Sequence, residues 1–312
     1  MCGRYASARK SLELLEEFRV ERDRVSEPLQ PDYNVAPTKR VYAVLSRASE
    51  PGGDQPPGNS SPPGSGAGAA QSAPRAHADD GAAAGQRELR VVRWGLVPSW
   101  AKDRSVGSRM INARAETVHS KPAFRRAFAR RRCLLPADGY YEWQQPGSAG
   151  GTKQPFFISR GDGGPLAFAG LYELWRDPVL PAGDELSWLW TATIITTSAP
   201  DEFGQIHDRM PMVIQPDNWA DWLDPAIGAP ADLMPLLVPA AADGLVSYPV
   251  STEVNSVRNN GPQLIERVEP GDAAQPAQAG GDLDFGTKPS RPSRSRGAAS
   301  GEGAGSGTGN RL

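Results

Sequence analysis

The sequence is poor in the residues that build covalent cross-links and metal sites. It contains two cysteines, Cys2 and Cys133, and three histidines, His77, His119 and His207. Because one cysteine lies at the terminus and the other in an apolar run, the sequence does not imply a disulfide framework. No histidine lies at ligand spacing from another, so we expect neither a metal nor a cofactor.

Long apolar runs and a strong net charge are also missing. No stretch approaches the roughly 20 apolar residues of a membrane span, and the N-terminus lacks the apolar run of a signal peptide. We therefore expect a cytoplasmic protein that makes no membrane contact. The net charge of −2 does not indicate a basic protein, so any contact with nucleic acid must be local.

Glycine and proline, by contrast, are abundant in two places. The apolar share is only 38% because many of the 34 glycines and 30 prolines lie in low-complexity sequence. Residues 48–88 and 269–312 cannot bury enough apolar surface to form a core. We predict a disordered insertion and a disordered tail, which leave one domain over residues 2–268. Strand-like sequence flanks the insertion, which indicates a hairpin with an expanded loop.

The rest of the chain favours an α+β fold that is mainly antiparallel β. Strand-like segments separated by turns, without regular crossover helices, indicate a barrel-like sheet. The predicted strands cover 41–45, 89–97, 133–137, 139–144, 156–158, 166–172, 190–197, 212–215 and 246–250. Short flanking helices are predicted within 8–20, from Pro122 to about Arg131, and from Asp217, as the helix cap, to Leu223.

The N-terminal sequence, Met1-Cys2-Gly3-Arg4-Tyr5, contains a candidate nucleophile, Cys2. Met1 is generally removed when a small residue follows, which would leave Cys2 with an α-amine and a thiol on adjacent carbons. These groups titrate near pH ~8 and ~8.5, so both are partly reactive at neutral pH. Such an aminothiol condenses with an aldehyde to a Schiff base and closes to a thiazolidine. The alternatives are an N-terminal nucleophile that attacks acyl groups, or a cysteine with no role.

Polar residues within apolar or turn sequence are the next candidates. Glu142 stands between large aromatics, where a carboxyl group tends to have a raised pKa and can act as general acid or base; an outward-facing strand residue is the alternative. His207 precedes a strand and is either an active-site residue or a surface histidine. Asn34 and Asn112 lie in apparently irregular segments, where an amide holds a substrate oxygen or closes a turn.

Aromatic and basic residues give a further indication. Most of the eight tryptophans should pack in the core, but Trp94 and Trp143 stand beside polar candidates. Exposed aromatics near arginines bind single-stranded nucleic acid without reading its sequence. The arginines between 125 and 132 form either a solvated face or a phosphate-binding patch.

Eight motifs combine these residues in a fixed order. They are Cys2–Tyr5, Tyr33–Thr38, Arg93–Trp100, Asn112–Thr117, Cys133–Trp143, Ala169–Trp175, Thr196–Ala199 and His207–Pro211. Together they resemble the SOS response-associated peptidase (SRAP) family of abasic site processing proteins. The resemblance covers roughly residues 2–265 apart from the insertion, and it implies the SRAP fold.

The resemblance also implies a reaction and a role for each matching residue. Cys2 would crosslink to the ring-opened aldehyde of an abasic site in single-stranded DNA, as a thiazolidine. Glu142 and His207 would move protons, and Asn112 would orient the sugar or the cysteine amine. Residues implied to hold phosphates, stack on bases or wedge the strand are Arg4, Asn34, Pro37, Trp94, Arg114, Trp143 and Arg209. Autoproteolytic release of Met1 and a lyase side reaction complete the expected enzyme activity.

Partners and competing functions follow from the same reasoning. We expect a monomer that associates with the nucleoid when bound to DNA, and replication machinery is a candidate partner of the insertion or the tail. An N-terminal-nucleophile hydrolase, such as a glutamine amidotransferase, would instead use Cys2 on an amide and need an oxyanion hole. In a third interpretation the protein binds single strands without a covalent bond, and Cys2 is irrelevant.

Overall fold

The computed structural model describes residues 2–47, 85–146, 152–181, 184, 187–239 and 244–269. Strands dominate this part of the chain. They are β1 (Tyr5–Ser7), β2 (Arg22–Asp23), β3 (Asp32–Val35), β4 (Arg40–Arg47), β5 (Gln86–Trp94), β6 (Asn112–Arg114), β7 (Arg132–Ala137), β8 (Gly139–Gln144), β9 (Gln154–Arg160), β10 (Leu166–Arg176), β11 (Trp188–Ser198), β12 (Arg209–Pro211) and β13 (Leu245–Pro249).

The helices are short and lie outside the sheets. They are α1 (Ser11–Glu17), α2 (Arg125–Arg130), α3 (Asp201–Gly204), α4 (Trp219–Leu223) and α5 (Pro230–Leu233). Turns of 3₁₀ helix occur at Arg104–Arg109, Pro216–Asn218, Met234–Leu236, Thr252–Asn255 and Pro262–Ile265. Within the described residues, no helix is long and apolar enough to cross a membrane.

Five strands close into a barrel. Antiparallel pairings join β11 to β10, β10 to β7, β7 to β4 and β4 to β5. A parallel pairing of β5 with β11 completes the ring. Strand β12 pairs with the end of β11, and β6 runs parallel to β11. The prediction of a barrel-like, mainly antiparallel α+β fold is therefore confirmed.

A second sheet, in the order β13-β9-β8-β1-β3, carries the N-terminus. Tyr5 of β1 lies opposite Tyr140 of β8, and the two strands are antiparallel. The chain that runs back from Tyr5 toward Cys2 therefore follows β8 from Tyr140 toward Glu142. The register of this one strand pair brings the N-terminus beside the carboxyl group.

Two apolar clusters hold these layers in place. In the first, helices pack on the barrel, and the Phe18 ring of the segment after α1 stacks on Trp219 of α4 at 4.6 Å between centroids. In the second, Tyr5 meets Trp94 at 5.2 Å and Phe168 at 5.7 Å. Burial of a large side chain stabilises a fold by about 1.5–3 kcal/mol. Tyr5 thereby anchors β1 and fixes the position of the residues before it.

The predicted insertion and tail lie almost wholly outside the described residues. The prediction that they contact replication machinery therefore also falls outside the described residues. One boundary can be corrected. Strand β5 begins at Gln86, so residues 86–88 belong to the barrel and not to the insertion. The reason is that the backbone of these residues pairs with residues 45–47 of β4, and the Glu88 side chain is buried.

Other boundaries also differ from the prediction. The helix expected at Pro122 begins only at Arg125, after a turn. Asp217 lies in a 3₁₀ turn and caps no helix. The strand expected at 212–215 is wrong, because β12 at Arg209–Pro211 takes the available edge of β11, and only Val213 forms an isolated bridge, to Phe168.

Candidate active site

Cys2 is held in a buried position where the two sheets meet. It is 2% exposed, and its thiol donates a long hydrogen bond to the carbonyl oxygen of Arg209, at 3.8 Å. The Nδ2 atom of Asn112 donates to the carbonyl oxygen of Cys2 at 3.0 Å. Arg209 and Asn112 lie on β12 and β6, which both pair with β11. The barrel strand β11 thus supports both contacts of Cys2.

The two cysteines occupy different environments. Both are buried and free, with no disulfide. Cys133 lies in the barrel core, where burial alone raises the pKa of its thiol. Of the two thiols, only that of Cys2 has a pKa that a neighbouring carboxyl group and guanidinium affect, those of Glu142 and Arg209, which gives it the surroundings of a reactive residue.

The Glu142 carboxyl group is the buried neighbour of the Cys2 thiol. Burial raises the pKa of Cys2 well above its ordinary value, and the charge of Glu142 raises it further. Burial also raises the pKa of Glu142, while a hydrogen bond from Cys2 acts in the opposite direction. Glu142 is 3% exposed, and its Oε1 atom has no hydrogen-bond partner in the described part of the chain. The thiol is therefore held protonated, beside a carboxyl group suited to proton exchange.

His207 lies in the turn before β12. Its Nδ1 atom accepts a hydrogen bond from the backbone N–H of Arg209 at 3.0 Å, which requires an unprotonated Nδ1. An oxygen of Asp208 also lies 2.9 Å from Nδ1, a contact that would require a proton there. The Asp208 side chain is 86% exposed and can turn into water. The hydrogen bond from the Arg209 N–H therefore determines which ring nitrogen of His207 carries a proton. The neutral ring then carries its proton on Nε2.

An open groove leads to these groups. It has a volume of about 390 Å³ and is lined by Glu142, Trp143, Gln145, Lys153, His207 and Asn255. The half-buried indole of Trp143 donates to Asn255 Oδ1 at 2.6 Å, and the guanidinium of Arg4 lies 5.8 Å from the indole ring. An aromatic face beside cationic groups suits an unstacked nucleotide.

Asn34 lies in strand β3 and has a structural role. It is fully buried, and its Oδ1 atom accepts a hydrogen bond from Arg4 Nη1 at 2.7 Å. Its Nδ2 atom donates to the carbonyl oxygens of Ser256 and Asn259 at 2.9 and 3.0 Å. Its amide has no exposed surface in this structure, and a contact of Asn34 with DNA stays a prediction. Asn34 holds Arg4 in place beside Trp143.

Trp94 also belongs to the core. It is 1% exposed, and its indole Nε1 donates to the carbonyl oxygen of Ile111 at 2.9 Å. Both faces of its ring are covered in this structure, and stacking of Trp94 on a base stays a prediction. Its bond to Ile111 instead supports Asn112, which follows in β6 and does not lie in an irregular segment.

The remaining predicted DNA contacts lie at the surface in differing degrees. Arg114 is exposed at the end of β6, and Pro37 is half-exposed after β3. Arg209 is already engaged: its Nη1 and Nη2 atoms lie 2.6 and 3.2 Å from the two carboxylate oxygens of Glu116. The Arg209 guanidinium holds the pKa of Glu116 below its usual range. The positive charge of Arg209 is therefore partly neutralised by Glu116 in the absence of DNA.

Sequence reasoning misses three of these neighbours. Glu116, which binds Arg209, lies in one of the eight motifs without a predicted role. Lys153 and Asn255, which line the groove, come from segments with only turn or extended character. Their contacts join residues far apart in the chain, as with Trp143 and Asn255. In the described part of the chain, no group of three His, Cys, Asp or Glu side chains is placed to hold a metal ion.

Fold and site together define a class of protein: a closed β-barrel with a second sheet, whose candidate centre is a cysteine at the N-terminus. The chain belongs to the SOS response associated peptidase (SRAP) family, whose model matches residues 1–257. The resemblance carried by the eight motifs is thereby confirmed.

Two relatives agree with this assignment, and a solved structure agrees with the fold. The chain is 35% identical over 266 residues to the abasic site processing protein YoqW of Bacillus subtilis, covering 85% of this chain and 99% of that protein. It is 35% identical over 220 residues to the abasic site processing protein HMCES of Gallus gallus, covering 63% of this chain and 62% of that protein. A crystal structure of a Bacteroides thetaiotaomicron protein matches 86% of this chain and all (100%) of its own, with a TM-score of 0.63 and 23% identity, and so shares the fold.

Proposed function

We propose that this protein processes abasic sites in single-stranded DNA by forming a thiazolidine crosslink through Cys2. The names of the relatives YoqW and HMCES support abasic sites as the substrate. The observation that carries the finer proposal is the burial of the Cys2 thiol beside the buried carboxyl group of Glu142. An abasic site offers no base to read, so selectivity rests on its aldehyde and on the shape of the strand.

The first bond is formed by the amine. Once Met1 is removed, the nitrogen of Cys2 is an α-amine with a pKa near ~8, so that part of it is neutral at pH ~7. Because burial and Glu142 disfavour the thiolate, the amine is the better initial nucleophile. It adds to C1′ of the open sugar and gives a carbinolamine, which loses one water to form an imine.

The thiol then closes the ring. The Cys2 sulfur bonds to C1′, the π electrons of the C=N bond move to nitrogen, and the thiol proton follows to that nitrogen. Glu142 lies where it can give a proton to the departing hydroxyl group and take one from the thiol, because both events occur beside it. The net reaction joins aminothiol and aldehyde and releases one water, with no change in oxidation state.

His207 and Asn112 have roles that fit their contacts. Opening of the sugar ring removes a proton from the C1′ hydroxyl group and places one on O4′. A carboxylate at Glu142 can take the first proton and pass it to O4′, while the Nε2–H of His207, which lines the same groove, assists that transfer by a hydrogen bond to O4′. Asn112 holds the carbonyl group of Cys2, and its Oδ1 atom is buried with no partner among the described residues. That oxygen can accept a hydrogen bond from the α-amine and direct its lone pair at C1′.

The DNA strand would lie along the groove beside Trp143. Its indole would stack on a flanking base, which is worth about 1–3 kcal/mol per base. Arg4, Arg114 and Pro37 would contact the strand on either side, since they lie at or near the surface. Autoproteolytic release of Met1 would expose the reactive amine. Strand incision through the imine would be a lyase side reaction, which closure of the thiazolidine suppresses.

One denaturing gel tests the proposal. Wild type, Cys2→Ala and Cys133→Ala are each incubated with a single-stranded oligonucleotide that contains one abasic site, and with an intact oligonucleotide. We expect a heat-stable adduct only with the abasic strand, in wild type and in the matched control Cys133→Ala. No adduct in wild type, or an adduct in Cys2→Ala, would contradict the proposal. Release of ammonia from glutamine without an adduct would favour the amidohydrolase.

A further inference from the structure

Arg209 connects four parts of the candidate site. Its carbonyl oxygen accepts the hydrogen bond of the Cys2 thiol at 3.8 Å, and its N–H donates to His207 Nδ1 at 3.0 Å. Its guanidinium binds the carboxylate of Glu116 and donates from Nη2 to the carbonyl oxygen of Thr196 at 2.6 Å. The backbone of this residue thus faces the two reactive side chains, while its side chain faces Glu116.

The strand that carries Arg209 is short, and backbone hydrogen bonds flank it from Ala199 to Asp208 and from Met212 to Ile195. Strand β12 spans three residues and pairs with β11 alone, and Arg209 is its first residue, opposite Ser198. The ends of short edge strands open easily, because few backbone hydrogen bonds resist the opening. A bidentate bond from the Arg209 side chain to Glu116 adds a side-chain restraint to this end of the strand.

We infer that Glu116 is a positioning residue, which acts through Arg209 to fix the hydrogen-bond acceptor of the Cys2 thiol and the donor to His207 Nδ1. This inference rests on the proposed function, because it concerns the rate of the same reaction. It assigns to Arg209 a different main role from a phosphate contact. A phosphate would have to displace a carboxylate that already occupies both Nη atoms.

The two roles predict opposite effects of removing the carboxylate. If Arg209 binds phosphate, Glu116→Gln releases its charge, and DNA binds more tightly. If Glu116 positions the site, DNA affinity is unchanged and the reaction slows, on the order of 10- to 100-fold, because small displacements of reacting groups are costly. Glu116 is 49% exposed, so the substitution should leave the fold intact.

The experiment uses two aldehydes and a double-mutant cycle. The rate of adduct formation is measured in single turnover with abasic single-stranded DNA and with glyceraldehyde, which has no phosphate. Affinity is measured separately on DNA that carries an unreactive tetrahydrofuran site. The variants are Glu116→Gln, Glu116→Asp, Arg209→Gln and the double variant Glu116→Gln/Arg209→Gln. Glu253→Gln, which removes the same charge from the segment beside the groove without touching Arg209, is the matched control.

We expect Glu116→Gln to slow both reactions about equally, to leave DNA affinity within about twofold, and to add nothing to Arg209→Gln. Glu116→Asp should recover much of the rate, and Glu253→Gln should match wild type. If Glu116→Gln binds DNA more tightly and reacts with glyceraldehyde at the wild-type rate, the inference about Glu116 is wrong. The same holds if the rate effects of Glu116→Gln and Arg209→Gln multiply in the double variant. Neither result would affect the proposed function. A wild type that reacts with neither aldehyde would instead overturn the proposed function.

Discussion

Replacement of Glu142 by Gln should stabilise the protein at neutral pH while it stops the chemistry. Glu142 is buried next to Cys2, and burial raises the pKa of its carboxyl group. The folded state therefore holds the Glu142 proton more tightly than the unfolded chain does. At a pH above both pKa values, folding must keep a charge in a poorly solvated place, and stability is lost. Gln keeps the shape of the side chain without that charge.

The size of the effect follows from proton linkage. Between the unfolded pKa of roughly 4.3 and the raised folded pKa, the folded protein binds more protons than the unfolded chain, so stability falls as pH rises. One group can contribute a slope of at most about 1.4 kcal/mol per pH unit. The stability of Glu142→Gln minus that of wild type should therefore increase from pH ~4 up to the folded pKa and then level off.

Urea unfolding of both proteins between pH ~4 and ~8 measures this difference. Glu116→Gln is the control of opposite sign: the pKa of Glu116 is lowered by Arg209, so its contribution is present above the unfolded pKa and is lost as pH falls through the folded pKa. That contribution should be small, because Glu116 is half exposed. A Glu142→Gln variant that is less stable than wild type at pH ~8, or a difference that does not change with pH, would refute the reasoning.

Two further predictions concern DNA binding and rate. Trp143→Ala should weaken binding of single-stranded DNA by about 1–3 kcal/mol in fluorescence anisotropy, with little effect on unfolding. Trp94→Ala should instead lower the free energy of unfolding by about 3–5 kcal/mol. If the two variants lose the same DNA affinity, once each is corrected for its folded fraction, this contrast is contradicted. Asn112→Ala should slow adduct formation about 10- to 100-fold in single-turnover assays, because the carbonyl group of Cys2 loses its donor; a wild-type rate would show that Asn112 orients nothing.

The sequence predicted the fold class because local patterns determine it. Alternating apolar residues and turn signals located most barrel strands, from β4 to β11. It failed where a tertiary partner decides the structure. Strand β12 forms at Arg209–Pro211 because the end of β11 offers an unpaired edge there, and no local pattern reveals that edge. Residues 86–88 belong to the barrel because their backbone pairs with residues 45–47 of β4, although low-complexity sequence precedes them.

The candidate site was predicted in part for a similar reason. The motifs named Cys2, Asn112 and Glu142, and the structure brings these residues together. Motifs do not report burial, however, so Trp94 and Asn34 were assigned to DNA although the core encloses both. A single sequence does not distinguish a buried side chain from an exposed one when both are adjacent to polar residues.

The covalent structure of the adduct tests the central claim most directly. Wild-type protein is reacted with an abasic oligonucleotide, treated with or without borohydride, digested, and analysed by mass spectrometry. We predict that Cys2 is the first residue of the crosslinked peptide, that the peptide has the mass of its two parts less one water, that no free thiol remains on it, and that borohydride changes nothing. An adduct that retains Met1, or a reducible imine that leaves the Cys2 thiol free, would contradict the claim that amine and thiol act together.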